Sequence, residues 1–329
     1  MKKYQDPAEI SPPRQAAREY RVYAALIERC AELEPVSTVV AHPCDESSLA
    51  GAVEAAEANL IRPILVGPEA RIRAVAEQFG LDIRPYRLVD APHSDAAAAK
   101  AVELVRAGEA ETLMKGSLHT DELMGEVVRK DTGLRTERRI SHVFIMDVPT
   151  YPKPHAVTDA AINIFPDLET KVDIVQNAID MAHALGVELP KVAILSAVET
   201  VTPKIPSTID AAALCKMAER GQITGGLLDG PLAFDNAISK EAAAIKGIRS
   251  EVAGDADILV VPDLEAGNML AKQLSFLANA DAAGIVLGAR VPIILTSRAD
   301  TVRARMTSCA VAVLLAHARR QAASAPRAG

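Results

Sequence analysis

Apolar and polar positions follow two alternating rhythms along this chain. Near-continuous aliphatic runs, "STVVAHP" (37–43), "RPILVG" (62–67) and "TLMKG" (112–116), predict strands buried on both faces. Between them lie stretches with helical spacing. "DESSLAGAVEAAEANL" (45–60) has Ser and acidic residues near its start, as a helix N-terminus favours. "PEARIRAVAEQFG" (68–80) opens on Pro and closes on Gly, and "SDAAAAKAVELVRAG" (94–108) ends at Gly108. "DIRPYRLVD" (82–90) reads as a further strand.

The same rhythm continues through a second series. "ISHVFIMDV" (140–148), "KVAILSA" (191–197), "GGLLDGP" (225–231), "DILVVP" (257–262), "AGIVLGA" (283–289) and "PIILT" (292–296) predict strands. Helices are expected around 171–185, 208–221, 236–247 and 266–278. Such β–α alternation predicts an α/β fold of largely parallel sheets covered by helices on both faces. The stretch "VPIILTSRADTVRARMTSCAVAVLLAHA" (291–318) closes the series, passing from a buried-strand pattern to a helix with apolar positions at Met306, Cys309, Ala310, Val313 and Leu314.

Length and composition narrow this picture. A chain of 329 residues can form a large core, with room for two domains. Its formal net charge of -7 argues against a protein that coats nucleic acid, and the absence of Trp with 3% aromatics argues against a base-stacking platform. No apolar window of about 18 residues suggests a membrane span. The opening "MKKYQDPAEISPPRQAAREY" has no apolar core of the signal-peptide kind. Four scattered cysteines, Cys30, Cys44, Cys215 and Cys309, read as reduced thiols, so the expected compartment is the cytoplasm.

Polar chemistry concentrates where the strand patterns end, which is where open α/β sheets gather ligands. Lys115, Gly116 and Ser117 follow one strand, and Ser196 and Glu199 another. Asp229, Gly230 and Pro231 follow a third. Asp263, Glu265, Gly267 and Asn268 follow a fourth, and Ser297 and Arg298 a fifth. Any one such group could simply cap the next helix; five together predict a shared cleft. At the last junction a helix N-terminus and the planar Arg298 fork would suit phosphate or an oxyanion. Asp300 can be read as a cap or as a catalytic carboxylate. Ser297 has no G-x-S-x-G elbow around it, so a hydrogen-bonding role fits better than a nucleophilic one. Ser117, His119 and Thr120 could bond phosphate oxygens before a helix starting near Asp121. Arg129, Arg135, Arg138 and Arg139 form a basic run, by default a solvated face. There is no P-loop motif, no G-x-G-x-x-G after a strand, and no zinc spacing.

The segments "MKGSLHTDELM", "ISHVFIMDVP", "VTDAAINIFPDLETK", "PKVAILSAVE", "RGQITGGLLDGPLAFDNAISKEAAAIKGI", "VAGDADILVVPDLEAGNMLAK" and "LTSRADT" occur in this order. The set resembles the phosphate acetyltransferase and phosphate butyryltransferase family over about residues 36–320, with wording nearer the butyryltransferase branch. The resemblance implies reversible acyl transfer between coenzyme A and phosphate by direct thiol attack, with CoA as substrate, no cofactor and no metal. It implies two α/β domains of isocitrate or isopropylmalate dehydrogenase-like architecture around an interdomain cleft, as a homodimer. The first, discontinuous domain would comprise 1–141 plus 292–329, and the second 142–291.

Residue by residue, the family's Ser–Arg pair matches Ser297, assigned to the thiol or tetrahedral species, and Arg298, assigned to phosphate. The family's thiol base is an aspartate further along. Here the following loop is shorter and Asp300 is the nearby carboxylate. A further phosphate arginine maps best to Arg129, with Arg135 behind it. The expected substrate-binding set is Lys115, Gly116, Ser117, Thr120, Arg129, Arg135, Asp229, Gly230, Pro231, Asp263, Gly267 and Asn268. Two rivals share the architecture. One is a non-catalytic acyl-CoA-sensing module, which could lose Ser297 or Arg298. The other is a metal- and NAD-dependent dehydrogenase, for which Asp229, Asp263 and Glu265 would be the candidate ligands.

Overall fold

The computed structural model describes residues 21–295 and 301–324. The first half runs α1 (Arg21–Cys30), β1 (Val36–Ala41), α2 (Glu46–Glu57), β2 (Ile61–Gly67), α3 (Glu69–Phe79), β3 (Arg87–Asp90), α4 (Ser94–Arg106), β4 (Thr112–Lys115) and α5 (Thr120–Val127). Then come β5 (Ser141–Asp147), β6 (His155–Thr158), α6 (Leu168–Ala184), β7 (Lys191–Leu195), α7 (Pro206–Glu219) and β8 (Leu227–Leu232). The rest is α8 (Phe234–Ile238), α9 (Lys240–Ile245), β9 (Ile258–Val260), α10 (Leu264–Leu277), β10 (Asp281–Leu287), β11 (Ile293–Ile294) and α11 (Val302–Ser324).

Local chemistry explains many of these boundaries. Asp45 caps α2 by accepting from the Ser48 N–H, and Asp167 caps α6 through Thr170. Gly80 closes α3 in the left-handed conformation, at φ 66°. Where spacing predicts one helix over 236–247 there are two, α8 and α9. Ser239 between them is extended, and its hydroxyl accepts from the Ala242 N–H to start the second. The strand expected over 82–90 shrinks to Arg87–Asp90, because Asp82 and Arg84 pair locally and hold the chain in a turn.

Among the described residues the eleven strands form one sheet, in the order β3-β2-β1-β4-β11-β10-β5-β6-β9-β7-β8. The expected helix-covered α/β architecture is present, but the two series of strands are joined edge to edge. β3, β2, β1, β4 and β11 are mutually parallel. β10 is antiparallel to both β11 and β5, and β5 is antiparallel to β6. β6, β9, β7 and β8 are again mutually parallel. The two parallel sets therefore run in opposite senses. α11 lies across the join, packing on β10, β11 and α1 and against α2 and α6.

Candidate functional site at the carboxyl edge of β1, β4 and β11

Three neighbouring strands end side by side. Ala41 of β1 stands opposite Lys115 of β4, and Met114 of β4 opposite Ile294 of β11. The chain leaves β4 through Gly116, which packs so tightly that a Cβ there would lie 2.3 Å from the Ala41 carbonyl oxygen and 2.5 Å from that of His42. No other residue type fits this turn without moving backbone. Lys115 is buried, and its ammonium donates to the carbonyls of Gly116 (3.2 Å) and Leu118 (3.0 Å). A cation thus stitches the turn together from beneath. α5 follows at Thr120, one residue before its expected start, and Glu122 accepts from the His119 N–H to hold its first turn.

Ser117 is tied to β1 rather than left reaching outward. Its hydroxyl donates to the His42 carbonyl at 2.8 Å, lies 3.0 Å from His42 Nδ1 and accepts from the Cys44 N–H at 3.3 Å. Reading "STVVAHP" as strand up to 43 hid His42. The strand stops at Ala41, and His42 turns at φ 55°. A residue before proline ordinarily stays extended, so the pattern carried no sign of this turn. Burial, then the Arg71 guanidinium, lowers the His42 pKa, against opposite pulls from Glu122 and Asp45. Burial pushes the Cys44 thiol up to about 11, so it is not a ready thiolate.

Ser297, Arg298 and Asp300 lie outside the described residues. Their flanks are described. Leu295 follows β11 beside the Lys115 turn, and Thr301 opens α11 by accepting from the Ala304 N–H at 3.1 Å. Thr301 thus supplies a side-chain cap to the first turn of that helix. Arg303 forms an ion pair with Asp281 at 3.3 Å, and Arg305 is buried against Gly51 of α2.

The remaining expected residues stand elsewhere. Arg129 is exposed and ion-paired with Glu126 at 2.8 Å, and Arg135 bridges to Ala289. Asp229 accepts from the Gly230 N–H at 2.8 Å, and a Cβ at Gly230 would sit 2.8 Å from Ile194 of β7. Asp263 caps α10 through Ala266. Gly267 lets α10 approach the Asp159 carbonyl, where a Cβ would be 2.9 Å away, and Asn268 donates to Ala160 at 3.2 Å. Asp229, Gly230 and Pro231 lie within β8, where a strand ending before them was expected, and Asp263, Gly267 and Asn268 follow β9; both strands run opposite to β4 and β11. The Lys115 turn and the exit of β11 share an edge, while β7, β8 and β9 run in the opposite sense. Pattern reading assigns strands but not their relative sense, and the antiparallel β10 and β5 reverse it. A separate apolar cavity of about 500 Å³ opens between α1, α6 and the start of β6, lined by Leu26, Ile145, His155, Met181 and Ile258. None of the expected site residues lines it.

Comparison with known proteins adds identity to this geometry. A family model described as "Phosphate acetyl/butaryl transferase" matches residues 92–313. The phosphate acetyltransferase of Rhizobium meliloti is 70% identical over 301 residues, covering 92% of this chain and 95% of that protein. The phosphate butyryltransferase of Clostridium acetobutylicum is 43% identical over 285 residues, covering 87% and 94%. The crystal structure of a branched-chain phosphotransacylase from Enterococcus faecalis V583 superposes with a TM-score of 0.75 at 31% identity, covering 86% of this chain and 99% of that one. Of the two curated relatives the acetyl-named one shares more, against the lean of the motifs towards the butyryl branch. With a family model over most of its length and relatives matched nearly end to end, the chain belongs to the phosphate acetyl/butyryltransferase family of enzymes.

Proposed function

We propose that the reversible acyl transfer between coenzyme A and phosphate that marks this family is carried out at the carboxyl edge of β1, β4 and β11. The observation that carries this reading is the register that sets the glycine turn of Lys115–Gly116–Ser117 beside the strand from which the chain enters Ser297 and Arg298. Acyl phosphate and CoA would meet there. Ser297 would donate to the thiol or to the oxygen of the tetrahedral species, and Arg298 would hold the phosphate. Asp300 would supply a carboxylate to the same turn. Lys115, Gly116, Ser117 and Thr120 would form the wall on the β4 side, with Arg129 or Arg135 as the second phosphate cation. The groups around Asp229, Gly230, Pro231, Asp263, Gly267 and Asn268 would line a CoA path on the other half. Holding two substrates in line lowers the entropic part of the barrier, and donors aimed at the developing oxyanion lower the electrostatic part. CoA enters as a substrate, and no resident cofactor or metal is part of this reading.

The finer points belong to the same proposal. Residues 1–141 with 292–329 and residues 142–291 form the two domains; the reversal of strand sense near β5 and β10 supports that division. Two copies associate through α10 and the loop before α6. In support, Met269, Phe276 and Leu277 expose one apolar helix face, and Ile164 and Phe165 are exposed on that loop. No helix among the described residues is long and apolar enough to cross a membrane, and we place the enzyme in the cytoplasm.

Steady-state release of CoA from acetyl-CoA, propionyl-CoA and butyryl-CoA on adding phosphate tests the reading and ranks acyl length. Ser297→Ala and Arg298→Ala should each lower kcat by about 10²–10³-fold, the loss seen when one oxyanion donor is removed, with thermal unfolding unchanged. Binding of acyl-CoA without turnover in the wild type would return the sensor reading.

A further inference from the structure

His42 is an imidazole in contact with the glycine turn that nothing above employs. It is 7% exposed and lies at the carboxyl end of β1, level with Gly116. Its contacts with Ser117 favour one tautomer. The single Ser117 hydroxyl proton goes to the His42 carbonyl, so the contact between Nδ1 and Ser117 Oγ needs its hydrogen on Nδ1. The lone pair therefore sits on Nε2, which has no hydrogen-bond partner among the described residues and is not sealed in the interior. A neutral imidazole held at one nitrogen and open at the other is the arrangement of a proton acceptor. The charged groups facing it are Arg71 from α3, Asp45 ahead of α2 and Glu122 from α5. Their balance with burial keeps the ring below its ordinary pKa, hence uncharged near neutrality.

We infer that His42 Nε2, rather than the Asp300 carboxylate, accepts the proton of the CoA thiol as the sulfur attacks. This rests on the placement of the acyl exchange at this edge. In the step, the S–H bond breaks towards Nε2 and the sulfur electron pair forms the bond to the acyl carbon. The bond from that carbon to the phosphate oxygen then breaks, and the proton passes from Nε2 to the departing phosphate. Acyl phosphate dianion and CoA thiol thus give acyl-CoA and hydrogen phosphate dianion, with no oxidant or reductant. In reverse, the protonated ring returns the proton to the leaving thiolate. A thiol of pKa ~8.5 surrenders its proton far more readily to an imidazole of ordinary pKa ~6.5 than to a carboxylate of ~3.9.

The test is the pH profile of kcat/KM for acetyl phosphate and CoA in wild type, His42→Gln, His42→Asn and Asp300→Asn. Asn tolerates the left-handed backbone at this position, so that variant separates chemistry from strain. The wild-type profile should fall on the acid side with a midpoint below 6.5. At pH 7 both His42 variants should lose about 10²–10⁴-fold, with thermal unfolding retained. The deficit should shrink above about pH 8.5, where the thiolate forms by itself. Asp300→Asn should keep the acid limb. A folded His42→Asn enzyme with the wild-type profile, a loss equal at every pH, or an acid limb abolished only by Asp300→Asn would overturn the inference while leaving the acyl exchange in place. A wild-type protein without exchange at any pH would overturn the site reading and this inference with it.

Discussion

Two other histidines sit where an imidazole cannot easily carry charge. His142 on β5 and His155 on β6 are 1% and 4% exposed. Neither ring nitrogen of His155, nor Nδ1 of His142, has a hydrogen-bond partner among the described residues. Burial lowers the His142 pKa from 6.5 to about 3; burial, then Lys153, lowers that of His155 to about 4. Both rings are neutral in the native state, while the unfolded chain binds their protons once pH falls below 6.5. The unfolded state then holds more protons, so stability drops as pH falls from 6.5 towards 4. The expected loss between pH 7 and pH 5 is about 2 kcal/mol for each ring. Urea unfolding at the two pH values measures it, and the double variant His142→Gln, His155→Gln should remove most of the difference. An unchanged difference in that variant would contradict the argument. Neither residue announces this in the sequence. "ISHVFIMDV" shows a polar residue in an apolar run, but only the packed sheet decides whether its ring reaches water.

At the level of elements, the helix after "TSRAD" teaches most. Its spacing of Met306, Cys309, Ala310, Val313 and Leu314 predicts one apolar face against a sheet. In the fold every residue from Ala304 to Ala316 is buried, Arg305, Thr307 and Ser308 included. The sheet lies beneath α11, α1 above it, and α2 and α6 on its flanks. Thr307 and Ser308 bond within the helix or to the sheet, and Arg305 packs against Gly51 of α2. Ser308 Oγ donates to the Ala304 carbonyl and accepts from the Gly284 N–H at 3.0 Å. A helix wrapped this way behaves as core for both halves. Leu315→Ala, at a position 6% exposed, should cost about 2–5 kcal/mol, read as a shift of the denaturation midpoint of the whole chain. A separate early transition confined to one half would show that α11 does not couple them. The short central strand His155–Thr158 went unrecognised in "KPHAVTD", since four residues between a proline-rich turn and an acidic loop carry too little periodicity.

Across the whole molecule, the exposed apolar face of α10 is the feature most out of place on a monomer. Phe276 and Leu277 are 81% and 85% exposed, with Met269 two turns earlier at 58%. Faces of this kind mark association surfaces. Light scattering after size exclusion should give about twice the chain mass, and Phe276→Glu with Leu277→Glu should halve it while leaving secondary structure intact. A monomeric wild type would refute the proposed homodimer.

Taken residue by residue, the linear code already determined much. Aliphatic runs of four to eight residues bounded by Gly, Pro and caps made most strands and helices legible, because burial on both faces and helix capping are local requirements. The ordered motifs carried the family, and "MKG" carried a turn in which only glycine fits against Ala41 and His42. Tertiary structure alone decided what depends on partners distant in sequence. It joined the two series into one sheet and reversed their sense through β10 and β5, so that β8, which carries Asp229, and β9, which leads to Asp263, run opposite to β4. It also turned His42 out of its strand onto Ser117, 75 residues along the chain. Strand direction and side-chain partnership are set by long-range pairing, and no periodicity within one segment encodes them.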